Sequence, residues 1–527
     1  MNKTIFDQKT IDIIDYIAND INNVKNPIKY YNKIYNKHFN ENNINIKNLF
    51  DKLINILKNI DQSSLENTIL ENNNSNNSNN SIDSINLTNI NWTNIDNNYP
   101  YIYNAFNKLF QDDNKSFISF DKFNDLYNKK KFNINDFTEY YDNYLDKQFN
   151  HIFLKERNLL EKQSNNIYEI IDILKYFQYG SFISLDIKHY VETNINNCDI
   201  YEFDHLKLYF FSSVPILTNT VKYNIIKHIF IVSKWMYSIK YPLVNSANSA
   251  NSANSANSTN KIKFIYFDCP IEKTIDLSKN FNDFKYLSSQ NINSGLSSSN
   301  NLLMIWRREE FIKVLIHELI HYLDIDVKYD SNFDKLFTNI GEINYPILVN
   351  ETITEIQAQF LHTIYVTNNI TNNTNNITNN TNITNITNNI TNNAFDTFDT
   401  FKLLYQYEHI FSWYQFAKIM EYYQIEKFKK KYIKQKFNQS TNAYSYYILK
   451  SIFGLDFATI LLSLDHFNIL IRDKENNCNV NSCKIIVKHI IKTFKNPKKI
   501  LKFINKIIKR LELFNNTLRM TIFTIDI

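Results

Sequence analysis

The chain has 527 residues, 43% hydrophobic and 21% charged, which supplies a sizeable core and excludes a wholly disordered or collagen-like polymer. Its only glycines are Gly180, Gly295, Gly341 and Gly454, so no Gly-rich phosphate loop can be built, and P-loop NTPases, typical protein kinases and Rossmann dehydrogenases are argued against. A net charge of +5 is too small over this length to imply nucleic acid, and 4 Cys do not make a disulfide scaffold, so a reduced, intracellular setting is expected.

Residues 1–70 repeat Ile, Leu and Phe at helical spacing, as in IDIIDYIANDI and LFDKLINILKNI, and read as a helical N-terminal region. Acids come early and no apolar h-region follows, so no signal peptide is expected, nor is any run long enough to span a membrane. Residues 71–98 are an Asn/Ser-rich linker, and 99–179 read as helical, most clearly in IYEIIDILKYF. Residues 180–465 read as an α+β unit. The runs SFISLDI, LKLYFFSSVPI, KIKFIYFD and LLMIWRR look like strands, and helical segments follow at 309–325 and 349–365. Two low-complexity insertions interrupt this unit, at 245–260 and 367–393, and both are expected to be solvated loops. Residues 466–527 read as a basic helical C-terminal region. Asn, Ile, Lys, Tyr and Phe, which have AT-rich codons, are over-used, so an isolated Asn, Lys or Tyr carries little weight.

The segment that carries chemistry is REEFIKVLIHELIHYLDID, with His317-Glu318-Leu319-Ile320-His321. Residues four apart share a helix face, so both imidazoles can aim at one metal ion while Glu318 stands beside them to take a proton from a metal-bound water. Phe311, Ile312, Leu315, Ile316, Leu319 and Leu323 can bury the other faces. The competing reading is a buried helix with two satisfied core histidines. A catalytic zinc wants a third protein ligand. Downstream, LVNETITEIQAQFLHTIY carries Glu351 and Glu355 on one face, so Glu351 can supply that ligand and Glu355 can hold the outer nitrogen of His317.

The combined pattern resembles the gluzincin metallopeptidases, the thermolysin-like group, in which HExxH is followed by a helix bearing N-E-x-x-x-[DE], here Asn350-Glu351-x-x-x-Glu355. The resemblance implies a zincin-like α+β core over 180–465 and one Zn2+ held by His317, His321 and Glu351. It implies Glu318 as general base, Glu355 as the partner behind a histidine, and a peptide or protein as substrate. Where the family more often has Asp, this chain has Glu355. Leu302–Arg307 is expected to be the sheet edge along which such enzymes hold an extended peptide. The stretch INSG…IWRREEFIKVLIHELIH also resembles predicted zinc peptidases of large DNA viruses. The metzincin pattern fails, because Val327 stands where its third His belongs and Asp324 where its Gly belongs. Asp324 and Asp326 rank low as rival ligands.

Candidate donors to the transition-state oxyanion are Tyr446, Tyr447 and His409, with Tyr444 beside them; each is weighed against simple packing. His362 reads as a core histidine more readily than as a pocket residue. Cys478, Cys483 and His489 lack a fourth ligand at finger spacing and read as free side chains. The basic stretch 484–510 is a weak candidate for nucleic acid or lipid, against a solvated helix face. The alternative to a peptidase is a non-catalytic structural or interaction protein with a degenerate zincin fold, such as a viral particle component. An intact Glu318 speaks against it, since a structural metal site has no use for a base.

Overall fold

The computed structural model of the protein describes residues 6–22, 39, 42–63, 65–66, 84–87, 166, 169–213, 219–241, 261–275, 286–298, 302–326, 347–374, 396–425, 436–462, 464, 467 and 517–524. Expectations for 99–165, 245–260 and 484–510, and for Cys478, Cys483 and His489, lie outside them.

Six strands form one mixed sheet: β1 (Ser84–Asn86), β2 (Asn197–Glu202), β3 (Leu206–Ser212), β4 (Ile262–Phe267), β5 (Gly295–Ser298) and β6 (Leu302–Ile305). Their order is β1-β2-β3-β4-β6-β5. β3, β4 and β6 run parallel, while β1–β2, β2–β3 and β5–β6 pair antiparallel. Successive side chains leave a strand on opposite faces, and here both faces are apolar. Leu208, Phe210, Phe264, Tyr266, Leu303 and Ile305 enter the larger core. Tyr209, Phe211, Ile265, Phe267, Met304 and Trp306 enter a second core on the other face. Burial on both faces explains why LKLYFFS, IKFIYF and LLMI are continuous apolar runs rather than alternating ones.

The larger core takes its helices from both ends of the described chain: α1 (Gln8–Asn22), α2 (Asn43–Lys58), α4 (Asn219–Lys240), α5 (Phe311–Tyr322), α6 (Val349–Thr374) and α7 (Thr397–Tyr422). The second core is closed by the helix through 169–179 and by α3 (Leu185–Asn194). Burying each Phe, Leu or Ile stabilises the fold by roughly 1.5–3 kcal/mol, so these two layers hold the sheet that positions α5. The N-terminal helices share this packing: Trp235 Nε1 donates to the carbonyl of Leu53 at 3.0 Å, and the Phe50 ring sits 4.9 Å from that of Phe401. The chain is thus a mixed α+β protein, and no helix among its described residues is long and apolar enough to cross a membrane.

Several elements differ from the reading of the sequence. SFISLDI is a turn and the start of α3, because Ser184 caps that helix by accepting from the N–H of Ile187. The linker 71–98 contributes strand β1, with Leu87 buried beside it. The tract 367–393 does not begin as a loop, since α6 continues to Thr374 with Thr367 and Ile370 buried. Its threonines turn their hydroxyls back onto the helix, as in Thr367 to the Thr363 carbonyl at 2.7 Å, which removes the polar cost of burying them. Leu302–Ile305 is an inner strand between β4 and β5, and among the described residues the sheet ends at β5.

Residues 517–524 are irregular rather than helical, with bends at Met520 and Ile522, and Thr517 to Phe523 are buried. Apart from a bridge between Thr274 and Thr517, a bond from the N–H of Leu518 to the Lys273 carbonyl and one from the N–H of Asp7 to the Thr524 carbonyl, this strap is held mainly by side chains. Lys418 donates to the Thr517 carbonyl at 2.6 Å, Tyr447 to Leu518 at 2.6 Å, Gln415 to Arg519 at 2.8 Å and Lys450 to Met520 at 2.9 Å. The carboxylate of Glu310 accepts from the N–H groups of Met520 and Thr521. Buried main chain requires such partners, and here buried polar side chains stand in for a sheet.

Candidate metal centre

β6 leads into α5 within a few residues, so the sheet fixes where the helix begins. The helix is buried on every side through Ile320, including Lys313, His317 and Glu318. His317 and His321 lie on one face with ring centroids 4.9 Å apart. α6 packs across α5 and brings Glu351, in its first turn, to that face. Glu351 Oε2 stands 3.5 Å from Nε2 of His317 and 3.5 Å from Nε2 of His321. Nε2 of His321 is buried and no described residue satisfies it with a hydrogen bond.

These donors fit a divalent ion. A tetrahedral zinc with bonds of about 2.1 Å separates its ligand atoms by about 3.4 Å, close to the 3.5 Å between Glu351 and each histidine, and all three ligand atoms lie within 4.8 Å of one another. Behind the cluster, each imidazole turns its other nitrogen to an acid. His317 Nδ1 lies 3.0 Å from Glu355 Oε1, and His321 Nδ1 hydrogen-bonds Asp326 Oδ2 at 2.8 Å. An acid on Nδ1 keeps the proton there and leaves the Nε2 lone pair for a metal. His317, His321 and Glu351 form the only such group of three metal-ligating side chains among the described residues.

The charges in the cluster are interdependent. Burial would raise the Glu351 carboxyl, but the two imidazoles beside it hold it well below its usual range. Burial opposes a charge on His321, yet the bond to Asp326 and the nearby Glu351 carboxylate prevail and raise it to about 10. His317 is raised by Glu351 and Glu355 against the same burial. Glu318 goes the other way for a base in waiting. Burial lifts its pKa and the nearby charge of Glu351 adds to this, against the lowering pull of the two histidines and of a bond to Ser297.

Glu318 lines a cleft of about 760 Å³ together with His317, His321, Glu351, Tyr446 and strand β5. β5 approaches so closely that a Cβ on Gly295 would meet Val314 Cγ1 at 2.7 Å and Glu318 Cγ at 3.1 Å. Among the described residues β5 pairs on one side only, so its outer edge faces this cleft unpaired.

Of the oxyanion-donor candidates, Tyr446 alone lines the cleft. Its hydroxyl donates to Glu351 Oε2 at 3.0 Å and its ring stands edge-on to His317 at 5.9 Å. Burial pushes its pKa up, so it stays a protonated donor. The π-turn Tyr444–Leu449 explains the difference, because neighbouring residues point apart. Tyr447 reaches the strap carbonyl of Leu518, and Tyr444 packs on Phe437. His409 does not reach the cleft either: it is buried in the core against Gly454. His362 is likewise a core residue, 3.3 Å from the Thr521 hydroxyl.

Asp326 meets His321 at Nδ1, the nitrogen turned away from Glu351, and Asp324, at φ 52, turns out toward Lys240. Sequence reading also missed Lys313 and Lys450. Lys313 pairs with Glu355, both fully buried, and Lys450 lies 3.6 Å from the same oxygen. Removing one member of such a buried pair costs about 3–5 kcal/mol. Lys313 sits one turn before His317, a spacing that could have pointed to it. Comparison with known proteins returned no matching family model, no matching curated protein and no matching solved structure.

Proposed function

We propose that the protein is a zinc-dependent peptidase with a zincin-like core, cutting a peptide chain laid in the cleft beside β5. The observation that carries this is the convergence of His317, His321 and Glu351 on one point, with Glu318 next to it in an open cleft. A zinc ion held by those three side chains would supply Lewis acidity, polarising a carbonyl and lowering the pKa of water toward neutrality. Glu318 then accepts the proton of the attacking water and delivers it to the leaving amine. Tyr446 donates its hydroxyl hydrogen to the oxyanion that forms at the scissile carbonyl.

β5, at the sheet margin, takes the role first given to Leu302–Arg307. Its free edge can bond an extended chain through main-chain groups, which do not depend on side-chain identity. Ser294, Ser297, Ser440, Thr441 and Asn442 line the same cleft and are uncharged.

The test is mass spectrometry of a mixed peptide pool incubated with zinc-loaded protein. Wild type should produce cleavage products, and Glu318→Gln should produce none while still holding zinc. Equal cleavage by the two would remove Glu318 from the reaction, and no cleavage by zinc-loaded wild type would remove the peptidase reading.

A further inference from the structure

Glu355 is more heavily fastened than a partner for one imidazole needs. Its Oε1 faces His317 Nδ1 at 3.0 Å. Its Oε2 takes the ammonium of Lys313 and stands 3.6 Å from that of Lys450. All three side chains are buried, at 2% exposure or less. Lys450 also donates to the Met520 carbonyl at 2.9 Å, and Met520 Sδ lies 4.0 Å from the Lys313 ammonium. Met520 itself lines the cleft. An unbroken line of polar contacts therefore runs from His317 through Glu355 to the C-terminal strap.

A glutamate is longer than an aspartate and has one more bond to rotate. With its far oxygen pinned, its near oxygen has one place to point. We infer that Lys313 and Lys450 are positioning residues for the metal centre: they hold Oε2 of Glu355 so that Oε1 meets His317, and Lys450 makes that aim depend on the seated strap at Met520. This rests on the reading of His317, His321 and Glu351 as metal ligands. It also gives the strap a role besides filling the core. The network that satisfies its main chain steadies the imidazole one contact away.

A double-mutant cycle on zinc affinity, read by competition with a chromophoric chelator, separates this role from plain packing. Lys313→Met should weaken zinc binding 10- to 100-fold, the range for residues that orient a metal ligand. Made in a Glu355→Gln background, the same change should alter affinity by no more than about twofold, because the route through Glu355 is already gone. Lys450→Met, a milder loss because Lys450 stands farther from Glu355, is put through the same cycle and gives the reading should Lys313→Met fail to fold. Wild-type zinc affinity in the folded lysine variants would overturn the inference, as would losses that simply add to that of Glu355→Gln. A wild-type chain that binds no zinc would overturn the metal reading and this one together.

Discussion

Gly295 and Glu318 stand so close that a Cβ on the glycine would lie 3.1 Å from Glu318 Cγ. The strand that borders the cleft thus rests directly on the proposed base, with Val314 as the second point of contact. Gly295→Ala would meet Val314 Cγ1 at 2.7 Å, so β5 or the Val314 side chain must shift, and Glu318 with its 3.1 Å contact is crowded in turn. Displacement of a reacting group by about 1 Å can cost up to about 100-fold in rate. Steady-state kinetics should show kcat falling at least tenfold with zinc content unchanged. An unaltered kcat would mean that Glu318 is not held by this contact.

Tyr446→Phe removes one hydroxyl and keeps the ring against His317. Losing an oxyanion donor lowers kcat about 100- to 1,000-fold, with KM little changed. Tyr447→Phe instead loses the bond to the strap carbonyl of Leu518 and should cost stability, on the order of 1 kcal/mol, with kcat preserved. Comparing kcat and unfolding midpoint for the two neighbours distinguishes them, and the reverse pattern would exchange their roles.

Asp326→Ala leaves His321 without its acid behind Nδ1. Zinc affinity should drop about 10- to 100-fold, measured by chelator competition. Asp324→Ala, which changes an exposed side chain, should leave affinity as it is. Equal effects of the two would mean that the 2.8 Å contact of Asp326 does not orient the imidazole.

Four histidines outside the site set an acid limit on stability. Burial holds His205 and His228 at about 4 and His362 and His409 at about 3, below their usual 6.5. Nearby lysines push in the same direction: Lys234 on His205, Lys227 on His228, Lys313 on His362 and Lys450 on His409. Below 6.5 the unfolded chain takes up protons that the folded chain refuses, so stability present above 6.5 is lost as pH falls toward 4. Glu309, raised by burial to about 7, opposes this in part because its neutral form is favoured in the fold. Urea midpoints taken from pH 7 down to pH 4 should decline steadily; a flat or rising series would contradict the neutral, buried state of these side chains.

The face that carries His317, His321 and Glu351 was legible because it rests on spacing alone: i and i+4 on α5, and again i and i+4 on α6, with apolar residues filling most of the other positions of α5. The inner strands were legible for the same kind of reason, as β-branched and aromatic runs bounded by polar loops. What hid was decided by tertiary contact. Asn-Cys-Asp in β2 and Gly-Leu-Ser-Ser in β5 carry no strand signature and are ordered by the strands beside them. Leu185 and Ile187 look β-like until Ser184 caps the turn before them. The Lys313–Glu355–Lys450 cluster joins residues far apart in sequence, and among so many lysines neither one stood out.

Metal content of the purified chain, compared with that of Glu351→Ala, tests the centre most directly. Elemental analysis should find one zinc per wild-type chain and a large loss on removing that single carboxylate, with the fold retained by circular dichroism. Zinc absent from folded wild type after loading and desalting, or equal zinc in both proteins, would contradict a metal gripped by His317, His321 and Glu351.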